Sequence, residues 1–209
     1  MNNRFCVRLG IAALVLTVLA SCTKNDATTI VPVGPESYID SITSVVTDAA
    51  FWNDFGRINE GAIPPKIEGA FSVSPRKRVG TNVEGVPIDI DELDAILSFS
   101  RQHNGLVTMA LNDATNALTD TVFVMGSGDD FTAYCIEEKS FEVLSYQVET
   151  KRGIIVKGTM TEAGIVNLRL ATIVLDSRSI PEGAPLQEVG SYFIYKDGDG
   201  LAERMSGVL

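Results

Sequence analysis

From Ile67 almost to its end the chain alternates apolar and polar residues with a period of two, the spacing that sends successive side chains to opposite faces of a β-strand. The alternation predicts strands over residues 67–73, 95–102, 106–112, 118–125, 131–137, 141–150, 154–161, 165–175 and 189–196. Asn104 and Gly105 are the clearest turn, because a two-residue type I′ hairpin needs positive φ at both positions. Residues 126–130, 151–153 and 162–164 punctuate the later strands with similar turn chemistry, and the glycine- and acid-rich stretch 80–94 reads as a long loop. Short hairpins pair sequence neighbours, so the expected fold is mainly β: an antiparallel meander closed as a barrel, or alternatively folded into a two-sheet sandwich. Periodicity does not choose between these.

The first 22 residues follow different rules. Arg4 and Arg8 form a basic start, residues 9–19 are uncharged and almost wholly apolar, and Leu19, Ala20, Ser21 and Cys22 follow. The apolar run is shorter than the roughly 20 residues a spanning helix requires. The ending resembles the lipobox of bacterial lipoproteins, which implies a signal peptide over residues 1–21, cleavage before Cys22 and acylation of that cysteine. The lipid on Cys22 would then hold the protein to a membrane. Thr23, where aspartate would imply retention in the inner membrane, implies an outer-membrane destination with a periplasmic or surface face. Residues 22–36 read as the lipidated cysteine and a flexible tether, since Pro32 and Pro35 disfavour both helix and ladder strand. Residues 37–209 read as one domain. Ser37 and Asp40 look like a capping box, and Tyr38, Ile42, Val45, Val46, Ala49 and Trp52 recur at helical spacing, predicting one amphipathic helix over about 38–54 ahead of a β domain over about 63–205. Its polar face carries Asp40 and Asp48 and no lysine or arginine, so it is expected to pack on the domain instead of lying on an anionic membrane.

The net charge of −10 argues against nucleic acid, whose recognition depends on neutralising phosphates with lysine and arginine. Of the three cysteines, Cys6 belongs to the signal, Cys22 to the anchor, and Cys135 lies in the alternating run Phe131, Ala133, Cys135, where it reads as a small buried hydrophobe. A disulfide framework is not expected. The single histidine, His103, adjoins the Asn104 turn, which argues against a Ser/His/Asp triad and against a multi-histidine metal site.

Two acidic groups invite chemistry. Asp89, Asp91, Glu92 and Asp94 could supply two carboxylates to a glycosidic bond, although a hydrated loop explains them more simply. Asp197, Gly198, Asp199 and Gly200 resemble the start of a calcium loop, but Ser206 stands where a bidentate glutamate is wanted, and a β-turn accounts for the same residues. No catalytic residue, metal ligand or cofactor site is therefore assigned. Cys22 is the one site residue, as the point of lipidation.

The run Ile63-Pro-Pro-Lys-Ile-Glu-Gly-Ala-Phe71, the hairpin Val156-Lys-Gly-Thr-Met-Thr-Glu-Ala-Gly-Ile165 and the ending 190–203 resemble a group of lipocalin-like envelope lipoproteins of anaerobic diderm bacteria. Gly69 and Phe71 are faintly similar to the glycine and tryptophan that open a lipocalin barrel. The resemblance implies a calycin-type antiparallel barrel and brings no established ligand. The expected function is non-enzymatic binding of a small apolar or glycan-like ligand in or at the mouth of such a barrel. The alternatives are protein–protein interaction within the envelope and, more remotely, a glycan hydrolase using the acidic loop. Large inward side chains decide whether a ligand has room, and the candidates are Phe71, Phe99, Met109, Phe123, Tyr134, Tyr146 and Phe193.

Overall fold

A computed structural model describes residues 35–113, 117–143, 146–178 and 188–207. The signal segment, Cys22 and most of the tether lie outside the described residues, as does the side chain of Tyr146. Two short helices, α1 (Pro35–Val45) and α2 (Ala49–Phe55), precede eleven strands. These are β1 (Gly69–Val73), β2 (Arg76–Thr81), β3 (Ile90–Glu92), β4 (Ala95–His103), β5 (Leu106–Asp113), β6 (Ala117–Ser127), β7 (Asp130–Val143), β8 (Tyr146–Met160), β9 (Gly164–Arg178), β10 (Tyr192–Asp197) and β11 (Leu201–Arg204).

All eleven strands belong to one antiparallel sheet, not to two. Hydrogen bonding closes on itself through eight of them, in the order β1, β4, β5, β6, β7, β8, β9, β11 and back to β1. Strand β9 is where the sheet forks. Its first residues pair with β11, Val166 opposite Leu201, while its middle pairs with β10, Ala171 opposite Ile194. From β10 the sheet continues through β2 to β3, forming a three-stranded extension outside the ring. No helix among the described residues is long and apolar enough to cross a membrane.

Alternation along the strands produces two cores on opposite faces of β7, β8 and β9. Ala133, Cys135, Ile154, Val156, Leu168 and Leu170 face the ring interior, where they pack with Phe71, Leu97, Phe99, Met109 and Phe131. The intervening Tyr134, Ile155 and Ala171 face outward and pack with Ile42 and Val46 around α1, Phe51 and Phe55 of α2, and Tyr192 and Ile194 of β10. This outer core explains why long stretches of β8 and β9 are apolar on both faces. At one end of the ring, Ile67 is fully buried in the interior core, and the segment leading to it is hydrogen-bonded to strand ends. Asn59 bonds Thr132 and Phe131, Gly126 donates to Gly61, and Gln102 bonds both Ile67 and Pro65.

Three sequence expectations need correction. The single helix over 38–54 is two helices, because Asp48 interrupts it: with extended backbone, its carboxylate accepts the Ala50 N–H at 2.8 Å and caps a new helix. Ser37, expected to cap the first helix, lies inside α1. The turn expected at 151–153 and the strand breaks around it do not exist, for β8 runs unbroken from Tyr146 to Met160. Gly153 is a strand residue opposite Ile136 and Ile173, and a Cβ there would lie 2.8 Å from Cγ1 of Ile42. It is glycine so that α1 can approach the sheet. Finally, the loop expected over 80–94 overlaps a hairpin, with β2 before it and β3 within it. The turn at Asn104 and Gly105 has φ of 50° and 74°, as the type I′ assignment requires.

Candidate functional site

A cavity of about 490 Å³ opens where the sheet forks, between ring strands β5 to β9 on one side and the extension β10, β2 and β3 on the other. That volume falls within the range of small-molecule sites. The floor is apolar: Leu118, Ile154 and Leu170 belong to the interior core, and Leu111 packs against it. The walls are charged. Arg76 and Arg78 of β2 point the same way because they are two residues apart on a strand, and Phe193 and Tyr195 of β10 follow the same rule beside them. The Arg76 guanidinium lies 5.2 Å from the Tyr195 ring centre, and that of Arg78 lies 5.4 Å from Phe193. Cation–π contact holds both cations against apolar surface.

Each cation also has a carboxylate partner. Arg76 Nη1 donates to Asp113 Oδ2 at 2.9 Å, spanning from the extension to the end of β5. Arg78 donates to Glu92 on the neighbouring strand β3 and to the Pro87 carbonyl. Across the β7–β8 pair, Glu137 receives Arg152 through Nε at 3.0 Å and Lys139 at 2.9 Å. Together four cations face three carboxylates in the lining, a local excess of positive charge in a chain whose net charge is −10. Burial raises the Tyr195 phenol above its ordinary value, so it stays a neutral hydroxyl in this setting.

The inward aromatic residues settle how much of the ring a ligand could use. Phe71, Phe99 and Met109 are fully buried and fill the interior together with Phe131. Phe123 and Tyr134 instead face the outer core, and Phe193 lines the cavity. Among the described residues these side chains leave the larger space at the forked end. A smaller hollow of about 280 Å³ lies on the β7–β8 hairpin among Glu138, Lys139, Glu149 and Lys151, but it has no apolar floor.

The other candidate residues lie elsewhere. Asp89, Asp91 and Asp94 are exposed; Glu92 alone of that group reaches the cavity, where Arg78 holds it. Two converging carboxylates of the acidic segment are not brought together. His103 is exposed beside the Asn104 turn. Asp197 is almost fully buried, with Oδ1 accepting the N–H groups of Asp199, Gly200 and Leu201 and Oδ2 that of Ser74 at 3.0 Å. These bonds form the β10–β11 turn and fasten it to the end of β1. Burial, and the hydrogen bond with Asp199, push the Asp197 carboxyl up to about 6. Among the described residues no group of three or more histidine, cysteine or acidic side chains is placed to hold a metal ion. Cys135 is buried, and burial pushes its thiol up to about 12.

Sequence reasoning missed Arg76, Arg78, Asp113, Glu137, Lys139 and Arg152. The signal was present in Arg76-Lys-Arg78, two arginines at strand spacing in an acidic chain, between the expected strand 67–73 and the expected loop 80–94. No protein-family model matches the chain, and neither a curated protein nor a solved structure matches it.

Proposed function

We propose that the eight-stranded ring is a lipocalin-like barrel and that this protein is a lipid-anchored lipoprotein of the cell envelope, fixed to the outer membrane through Cys22, which binds a small ligand at the barrel mouth without catalysis. The observation that carries the binding reading is the cavity at the forked end, with its apolar floor and its rim of arginines and aromatic rings. An apolar pocket with a few convergent polar groups is the usual form of a small-molecule site. The anchor reading rests on the sequence alone: the basic start, the short apolar run and the residues leading to Cys22. A domain joined to its lipid by a tether would hold this cavity in the aqueous space beside the membrane.

The alternative is an accessory protein that docks another envelope protein. Large exposed apolar side chains such as Ile63, Ile88 and Val189 would be available to it, but scattered exposure of this kind is ordinary. Purification of the full-length chain from its own host, followed by mass spectrometry of what comes with it, separates the two. A stoichiometric small molecule supports ligand binding. A stoichiometric protein and no small molecule overturns it in favour of docking.

A further inference from the structure

Arg76 is unusual among the cavity residues. Its side chain is 12 % exposed, yet among the described residues it makes a single hydrogen bond, to Asp113, and its Nε is buried without a partner. A guanidinium has five N–H donors, and leaving them unmatched in a partly dry site is costly. The Nε of Arg78 is buried without a partner too, but both terminal nitrogens of Arg78 have acceptors, whereas only Nη1 of Arg76 has one among the described residues. The residual positive charge of the lining has the same sign at the same place. The same cavity is lined by the apolar Leu111, Leu118, Ile154 and Leu170. An acceptor group carrying one negative charge would balance the lining and occupy the donors of Arg76, while an apolar body covered the leucines.

We infer that the ligand is a small amphiphile with a single carboxylate head, held by Arg76, and an apolar body lying on the leucine floor. This rests on the binding reading given above. It narrows that reading from any small apolar or glycan-like molecule to an apolar monoacid. A neutral sugar would match hydrogen bonds but not the charge, and a cation would meet the guanidinium of Arg76 directly. The ring of Tyr195, against which Arg76 stacks, lines the cavity beside the same guanidinium.

The test uses three probes that share one apolar body and differ in the head: phenylbutyrate, phenylbutanamide and phenylbutylammonium. Each is measured by equilibrium dialysis against the full-length chain in detergent micelles, with empty micelles as the blank. Phenylbutyrate is expected to bind roughly tenfold or more tightly than the amide, the usual scale of a charge-assisted contact. R76M should erase that preference, so that acid and amide bind within about twofold of each other. R76K, which keeps the charge and the Asp113 partner but loses the fork, should retain part of the preference and guards against a variant that fails to fold. Equal binding of acid and amide, or tighter binding of the ammonium, overturns the carboxylate assignment and leaves the cavity as a binding site. Binding of none of the three overturns both.

Discussion

Truncating Phe51 to alanine tests whether the helix pair is an integral part of the β domain. Phe51 is 0 % exposed in the outer core, stacked on Phe55 at 5.4 Å and edge-on to Tyr192 of β10 at 5.1 Å. Removing a fully buried phenyl ring from a packed site costs about 3–5 kcal/mol, combining lost transfer energy with the residual cavity. The edge-on contact with Tyr192 places the result near the upper part of that range, since such a pair adds about 0.5–1.5 kcal/mol. Trp52 is the only tryptophan and lies 4.9 Å from Phe51, so its fluorescence reports on this core directly. In urea titrations of the full-length chain, the midpoint should fall by an amount equivalent to about 4 kcal/mol with an unchanged slope. A loss below about 1 kcal/mol with unaltered Trp52 emission would refute the packing of these helices on the sheet.

If the proposed lipid anchor is right, Cys22→Ala should move the protein from the membrane fraction to a folded soluble form, since α1 and α2 carry no lysine or arginine to attract an anionic membrane; retention in the membrane would contradict this. Asp197→Ala should lower stability by about 2–4 kcal/mol by stranding the N–H groups of Ser74, Asp199 and Gly200, while that of Leu201 keeps the Asp199 carboxylate. The same variant should alter the pH profile. With its carboxyl at about 6 in the folded chain against an ordinary 3.8, Asp197 binds a proton more strongly when folded, so its contribution to stability is fullest below about pH 4 and is lost as pH rises through 6. Parallel pH profiles for the variant and the parent protein would count against this assignment. In a chain with Cys6 and Cys22 replaced by alanine, Cys135 should resist thiol reagents until the fold is denatured, and rapid modification of the native protein would show the site to be open.

The period of two was enough to find most of the sheet, since a strand buried on one face advertises itself by alternation. It failed where a residue had two duties. Gly153 looked like punctuation because sequence does not reveal that α1 passes over it. Strand β2 went unassigned because Arg76 and Arg78 are tolerable in a strand only when Asp113, Glu92 and two aromatic rings receive them, and these partners come from β5, β3 and β10. The same long-range dependence hid the candidate site. Its arginines and its leucine floor are brought together by the fork in β9, a feature of pairing that no local pattern encodes. Cys135 was legible because its burial follows from strand parity alone. Asp197 was half legible: the turn was evident, but the N–H of Ser74 that completes its set is 123 residues away in sequence.

The central claim is that the cavity at the forked end holds a small molecule. Thr172 lines it from β9 and is only half-buried, so Thr172→Trp fills the space with little disturbance of the interior core. Native mass spectrometry of the full-length chain purified from its host should show a bound small molecule in the parent protein and none in Thr172→Trp, with both giving the same circular dichroism. An adduct of the same mass on the filled variant, or none on the parent, would contradict the claim.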